Sequence, residues 1–178
     1  MFARQHLVTT FAAMSLVIVG LADPLSAADE KLESAEERAF KQAAALVDPS
    51  VVRIQTVGGL DRVGKILTGT GPTTGVVVSS DGYIISSSFN FLSKPASILI
   101  ELPDGRRLTA RVVASDRSRM LTLLKTDVKG LTPAQAADMK NVKVGQWSIA
   151  LGRTYDNTFP SISVGIVSAL GRIWGKAI

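Results

Sequence analysis

From Pro49 onward, apolar and polar positions alternate in runs of five to seven residues broken by turn signals, the signature of closely spaced β-strands. Val51–Val57 is β-branched and ends at Gly58-Gly59. Residues 75–79 and 83–87 flank Ser80-Asp81-Gly82, a hairpin turn. Residues 97–102 alternate with Ile98, Ile100 and Leu102 on one face, and Pro103-Asp104-Gly105 turns the chain, since proline presets φ and glycine tolerates positive φ. Residues 108–114 return with Leu108, Ala110, Val112 and Ala114 expected inward, and 121–125, 147–151 and 162–170 complete the series. Many short strands with no helix between them predict an antiparallel barrel or sandwich. Before them, residues 29–47 carry Leu32, Ala35, Ala39, Phe40, Ala43, Leu46 and Val47 at three- and four-residue spacings, a helix that Asp48-Pro49 ends. The glycine-rich run 69–75 lacks a lysine after its last glycine and opens a strand, so it reads as a loop rather than a phosphate cradle. No internal repeat occurs.

Composition narrows this picture. The chain has 178 residues, 46% hydrophobic and 20% charged, enough for one domain with a core or one domain plus part of a second. The absence of cysteine excludes disulfides, thiolate nucleophiles and cysteine–zinc sites. The net charge of +5 includes a cluster at Arg106, Arg107, Arg111, Arg117 and Arg119. No aromatic residue is interleaved with it, so it reads as solvated strand faces rather than a nucleic-acid surface. Arg4, the apolar stretch 7–21 and the small residues Ser26-Ala27-Ala28 form the pattern of a secretory signal peptide over residues 1–28. That run is short for a bilayer span, which needs about 20 residues. The expectation is a protein exported to the periplasm or secreted, with no stable membrane insertion after signal cleavage. Trp147 reads as core, and Trp174 lies in the tail.

Five segments, in order, resemble the HtrA/DegP family of exported trypsin-like serine proteases. They are Pro49-Ser50-Val51-Val52-Arg53-Ile54; Gly75-Val76-Val77-Val78-Ser79-Ser80-Asp81-Gly82-Tyr83-Ile84; Leu102-Pro103-Asp104-Gly105-Arg106; Val144-Gly145-Gln146-Trp147-Ser148-Ile149-Ala150-Leu151-Gly152; and Val164-Gly165-Ile166-Val167-Ser168-Ala169-Leu170-Gly171-Arg172. The resemblance implies an all-β, chymotrypsin-like architecture of antiparallel barrels behind a short N-terminal helix. Its expected organisation is a signal peptide at 1–28, the helix at 29–48, a first barrel at 49–140, and a linker with the opening strand of a second barrel at 141–178.

In that family a histidine takes the proton of the nucleophilic serine, and an aspartate holds the imidazole in its useful tautomer. The resemblance sets Phe89, within Ser86-Ser87-Ser88-Phe89-Asn90-Phe91, at the histidine position, and Met120, before Leu121-Thr122-Leu123-Leu124-Lys125, at the aspartate position. Neither side chain can accept or relay a proton. The chain's one histidine is His6, inside the expected signal peptide. The serine motif of the family would lie beyond Ile178, which suggests a fragment or truncated product. It would also leave 162–170 as an unpaired edge with an uncovered apolar face.

The favoured expectation is a non-catalytic family member that binds extended or unfolded peptides or envelope proteins. One alternative is an active serine endopeptidase whose catalytic residues are rewired, with Ser88 and Lys94 or Lys65 as a candidate dyad, or lie beyond this fragment. Another is a structural envelope protein that interacts through its helix. No cofactor, metal or nucleic acid is expected, and self-association is left open.

Overall fold

The computed structural model describes residues 24–59, 61–63, 66–68, 71–155 and 159–171, with side chains from residue 31 onward and outside 60–70. Residues 1–23 of the expected signal peptide, Lys65, Trp174 and Arg172 thus lie outside what is described, wholly or in their side chains. The chain divides into two compact units at Ala35/Glu36. Helix α1, Pro24–Val47, crosses that point. It begins ahead of the expected residue 29 because proline is well accommodated in a first helical turn, where its missing N–H has no bond to make. The expected stripe is only partly used: Phe40 and Ala43 are half-buried and Ala44 is buried. Leu32, Leu46 and Val47 face solvent. Outward, Lys41 and Glu37 pair one turn apart at 2.5 Å. A 3-10 turn, η1 (Asp48–Ser50), follows, with Pro49 terminating the α-helical dihedrals.

Six strands close into an antiparallel barrel: β1 (Val51–Val57), β4 (Thr73–Val77), β5 (Tyr83–Ser87), β8 (Leu121–Lys125), β7 (Arg107–Asp116) and β6 (Ser97–Glu101), in that order round the wall, with β6 returning to β1. Of the antiparallel barrel or sandwich that the alternation predicts, the fold is the all-β barrel, as the family resemblance implies. The period of two sets its register. Ile54 faces Ile100 and Ile84 faces Leu124 across neighbouring strands, and all four are fully buried. With Val52, Val77, Ile98 and Leu102 they form the core, each contributing roughly 1.5–3 kcal/mol by leaving water. Gly75, expected where the glycine-rich run 69–75 opens the strand 75–79, lies inside β4, which begins two residues earlier at Thr73. A Cβ there would come within 2.6 Å of Ile54 Cδ1 and 2.8 Å of Ile84 Cγ2, so the core itself requires glycine. Gly82, at φ +101°, makes the β4–β5 hairpin turn, its N–H donating to the Ser79 carbonyl at 3.2 Å.

Strand β7 departs from the expected face pattern. Leu108 and Ala110 pack on the core as anticipated, but a register shift between Val112 and Ala114 inserts one extra residue. The bulge exchanges faces beyond it, so Ser115 rather than Ala114 lies opposite inward-pointing Thr122. The sequence pattern did not anticipate a small hairpin, β2 (Asp61–Val63) with β3 (Ile66–Thr68).

After β8 an extended segment leads through η3 (Met139–Asn141) to a separate two-stranded sheet, β9 (Trp147–Gly152) with β10 (Ser161–Ile166). Its cross-strand pairs Trp147–Ile166, Ile149–Val164 and Leu151–Ile162 put six apolar side chains on one face. Every residue of β10 is exposed. Trp147 is therefore not core: it is 56% exposed, and its ring meets Phe40 of α1 edge-on at 5.2 Å. The aromatic side chain finds a single neighbouring ring there instead of a closed interior. The sheet is tied back at one end by Arg153, whose guanidinium reaches Asp48 at 2.5 Å and whose N–H donates to Thr74 Oγ1 at 2.9 Å.

Candidate functional site

Where β5 leaves the barrel, Ser87 caps a 3-10 turn, η2 (Ser88–Phe91), its hydroxyl accepting from the Phe89 N–H. With about three residues per turn, side chains two positions apart leave different faces. Phe91 turns inward and is buried, whereas Phe89 is 65% exposed. The turn docks on the start of β8. The Ser88 N–H donates to the Met120 carbonyl at 2.8 Å, and the Ser88 hydroxyl points at Met120 Sδ, 3.6 Å away. The structure therefore brings Met120 against Ser88, the residue next to Phe89, with Phe89 itself facing solvent.

Met120 has φ +55°, a left-handed conformation that costs an unbranched side chain about 1–2 kcal/mol. Asn and Asp enter this region far more readily. The strain follows from the turn before it. Asp116 accepts the backbone N–H groups of Ser118 and Arg119, and the Arg119 guanidinium closes on its other oxygen at 2.7 Å. The Ser118 hydroxyl, followed by Arg119, holds the Asp116 carboxyl well below the usual carboxylate range.

Inside this junction lies a cavity of about 750 Å³. Phe91, Ile98, Val112 and Met120 give its lining an apolar surface, and Ser88, Ser115 and Thr122 add hydroxyls to it. Lys94 and Arg117 are the charged residues of the lining, which includes no carboxylate. Lys94 has the other positive φ of a described non-glycine residue, +49°.

Of the residues singled out by sequence, Ser88, Lys94 and Met120 thus share one cavity. No hydrogen bond joins Ser88 to Lys94 among the described residues, because the hydroxyl is turned to Met120. Arg117 reads from sequence as a solvated strand residue, and only the β7 bulge and the turn at Asp116 bring it to the cavity. Arg106, Arg107 and Arg119, from the same basic stretch, are instead paired with Asp104, Glu101 and Asp116.

The sequence profile of the trypsin-like peptidase domain family matches residues 73–177, more than half of the chain. A "Probable periplasmic serine endoprotease DegP-like" of Pseudomonas putida is 34% identical over 99 residues, covering 56% of this chain and 20% of that protein. A protein of the same description from Halomonas elongata gives the same figures. The chain thus spans about one fifth of the length of these relatives. Among solved structures, the HtrA-type protease AlgW with a tripeptide superposes at a TM-score of 0.64 and 24% identity, over 75% of this chain and 41% of that one. AlgW with a decapeptide gives 0.61 and 21%, over 75% and 46%. Identities at this level establish a shared fold. With the closed barrel, its register and the profile match in agreement, the chain belongs to the trypsin-like peptidase family, of the HtrA/DegP type.

Proposed function

We propose that this chain is a catalytically inactive member of its family that serves as a binding module for extended peptides in the periplasm or outside the cell. The observation that carries the reading is chemical: Phe89 and Met120 occupy the positions that the family resemblance gives to histidine and aspartate, and His6 is the one histidine of the chain. Without an imidazole and its carboxylate partner, no group at these positions takes a serine proton. The sulfur that the Ser88 hydroxyl faces is a weak acceptor and no base.

Peptide binding requires less. An extended segment can add to a free strand edge through main-chain hydrogen bonds, with alternate side chains setting preference. The barrel offers no such edge, whereas the two-stranded β9–β10 sheet has two among the described residues and carries a continuous apolar face. The structures of AlgW with a tripeptide and a decapeptide show that a protein of this fold takes short peptides. No described helix is long and apolar enough to cross a membrane. Export rests on the pattern at residues 1–28 and on the periplasmic naming of the relatives.

The test is an assay of the purified protein on unfolded casein with a serine-reactive fluorophosphonate probe, beside anisotropy of a fluorescein-labelled decapeptide of alternating apolar residues. The expected result is no cleavage, no labelling, and saturable peptide binding that a charged control peptide lacks. Cleavage that persists in Phe89→Ala and Met120→Ala but disappears in Ser88→Ala or Lys94→Asn would overturn the inactive reading. Absence of saturable binding by the apolar peptide would overturn the binding role.

A further inference from the structure

We propose that the cavity between η2, β7 and the start of β8 is a binding site for a medium-chain aliphatic carboxylate. Its volume of about 750 Å³ falls within the range typical of small-molecule sites. Its walls are apolar, with Phe91 and Ile98 buried and Val112 and Met120 presenting aliphatic surface. The hydroxyls of the lining have partners within the protein: Ser115 and Thr122 lie 3.4 Å apart and bond each other, and the Ser88 hydroxyl faces the Met120 sulfur. An alkyl chain therefore lies beside them without stranding a polar group, the condition that makes apolar burial favourable.

The head group follows from charge. Lys94 and Arg117 are the two ions of the lining, and neither has an ion-pair partner among the described residues. Of the other arginines of the basic stretch, Arg106, Arg107 and Arg119 have one and Arg111 has none among the described residues, but only Arg117 lines the cavity. Two cations beside an apolar cavity without a carboxylate complement one anion attached to a hydrocarbon. Arg117 suits a carboxylate through its planar fork, and Lys94 adds a point charge.

Backbone strain marks the same place. The two described non-glycine residues at positive φ, Lys94 and Met120, both stand on this cavity. Such conformations cost about 1–2 kcal/mol each, persist only when the surroundings impose them, and concentrate at ligand clamps. A peptide strand is a poor occupant, because β6, β7 and β8 are hydrogen-bonded on both sides within the closed barrel. The proposal does not depend on peptide binding at the β9–β10 sheet, and the experiment below contains no peptide.

The experiment is calorimetric titration of the purified protein with sodium decanoate below its micellar concentration, with decanol and acetate as the chain-only and head-only controls. Decanoate is expected to bind saturably at one site, decanol at least about tenfold more weakly, and acetate not measurably. Lys94→Asn with Arg117→Gln should weaken decanoate by about tenfold or more. Asn is chosen because it tolerates the left-handed backbone. Val112→Trp, which fills the cavity, should abolish binding. In parallel, the methyl resonance of Met120 in methyl-labelled wild-type protein should shift on titration while that of Met139 stays in place, a readout that requires no variant to fold. Three results would overturn the proposal: no saturable decanoate binding, decanol binding as tightly as decanoate, or an unmoved Met120 resonance.

Discussion

The barrel and the β9–β10 sheet are made of the same material, β-branched and aliphatic residues at alternate positions, and they end in opposite physical states. In the barrel, Ile54, Ile84, Ile100 and Leu124 have no exposed surface and each strand is bonded on both sides. In the sheet, Ile162, Val164 and Ile166 remain 45%, 43% and 57% exposed, and among the described residues each strand has one free edge. The difference lies in closure rather than composition: six strands can roll up so that one face becomes interior, and two cannot. A polar anchor ties one end of the sheet back, Arg153 between Asp48 and Thr74, and the sheet's own apolar residues are at most half-buried. Regions bound by few contacts open first, so the sheet is the low-stability end of the fold and the barrel its cooperative unit.

The sharpest way to break this comparison is to cut equivalent hydrocarbon from each side. Ile54→Ala should cost about 2–5 kcal/mol in urea unfolding, the range for cavities that rigid surroundings do not refill. Val164→Ala should cost less than about 0.5 kcal/mol, as at other sites already in water. Equal costs would mean that the sheet is buried in solution. The anchor comes next. Arg153→Met removes the guanidinium from Asp48 and should lower stability by about 1–3 kcal/mol, moderated because the Asp48 side chain is 30% exposed and can take up water. Amide hydrogen exchange should then quicken in β9 and β10 while β1 and β5 keep their protection.

Smaller still is the strain at Met120. Met120→Asn should raise stability by about 0.5 kcal/mol, because Asn relieves the left-handed backbone at a side chain that is 44% exposed. A fall in the thermal midpoint would show that its packing outweighs the strain. The smallest effect concerns pH. The Asp116 carboxyl is held below its ordinary value in the folded state, so the stability it contributes is complete at neutral pH and is lost as pH falls through and below the usual carboxylate range. Asp116→Asn should therefore flatten the acid limb of a stability–pH curve without changing its neutral slope. The strands of the sheet carry no ionisable side chain, so the local change should appear at the β7–β8 turn, followed by the amides of Ser118 and Arg119.

Much of the fold was legible along the chain because strand alternation and turn chemistry are local. Val51–Val57, Tyr83–Ser87 and Leu121–Lys125 stand where alternation put them. The turns at Gly82 and Gly105 use the positive φ that glycine supplies. The family resemblance rests on the same local runs and agrees with the barrel observed. Positions that depend on closure were not legible. Alternation placed Ala114 inside, and the bulge in β7 set Ser115 rather than Ala114 opposite Thr122, with both residues exposed, because one inserted residue reverses every face beyond it. Trp147 has the composition of a core residue, yet no third layer of described residues covers it.

The candidate site divides along the same line. The sequence alone determined which groups are available: apolar Phe89 and Met120, no thiol, one histidine at His6, and a basic stretch from Arg106 to Arg119. Residue chemistry is a property of the list, independent of folding. Only the tertiary structure decided that Phe89 faces water, that Met120 and Lys94 adopt left-handed backbones on one cavity, and that Arg117 alone of the basic stretch lines it. Those outcomes come from bringing η2, β7 and β8 together across sequence separations that no local pattern encodes. The barrel closes to bury its isoleucines, and the side chains at its rim take the positions that closure leaves them.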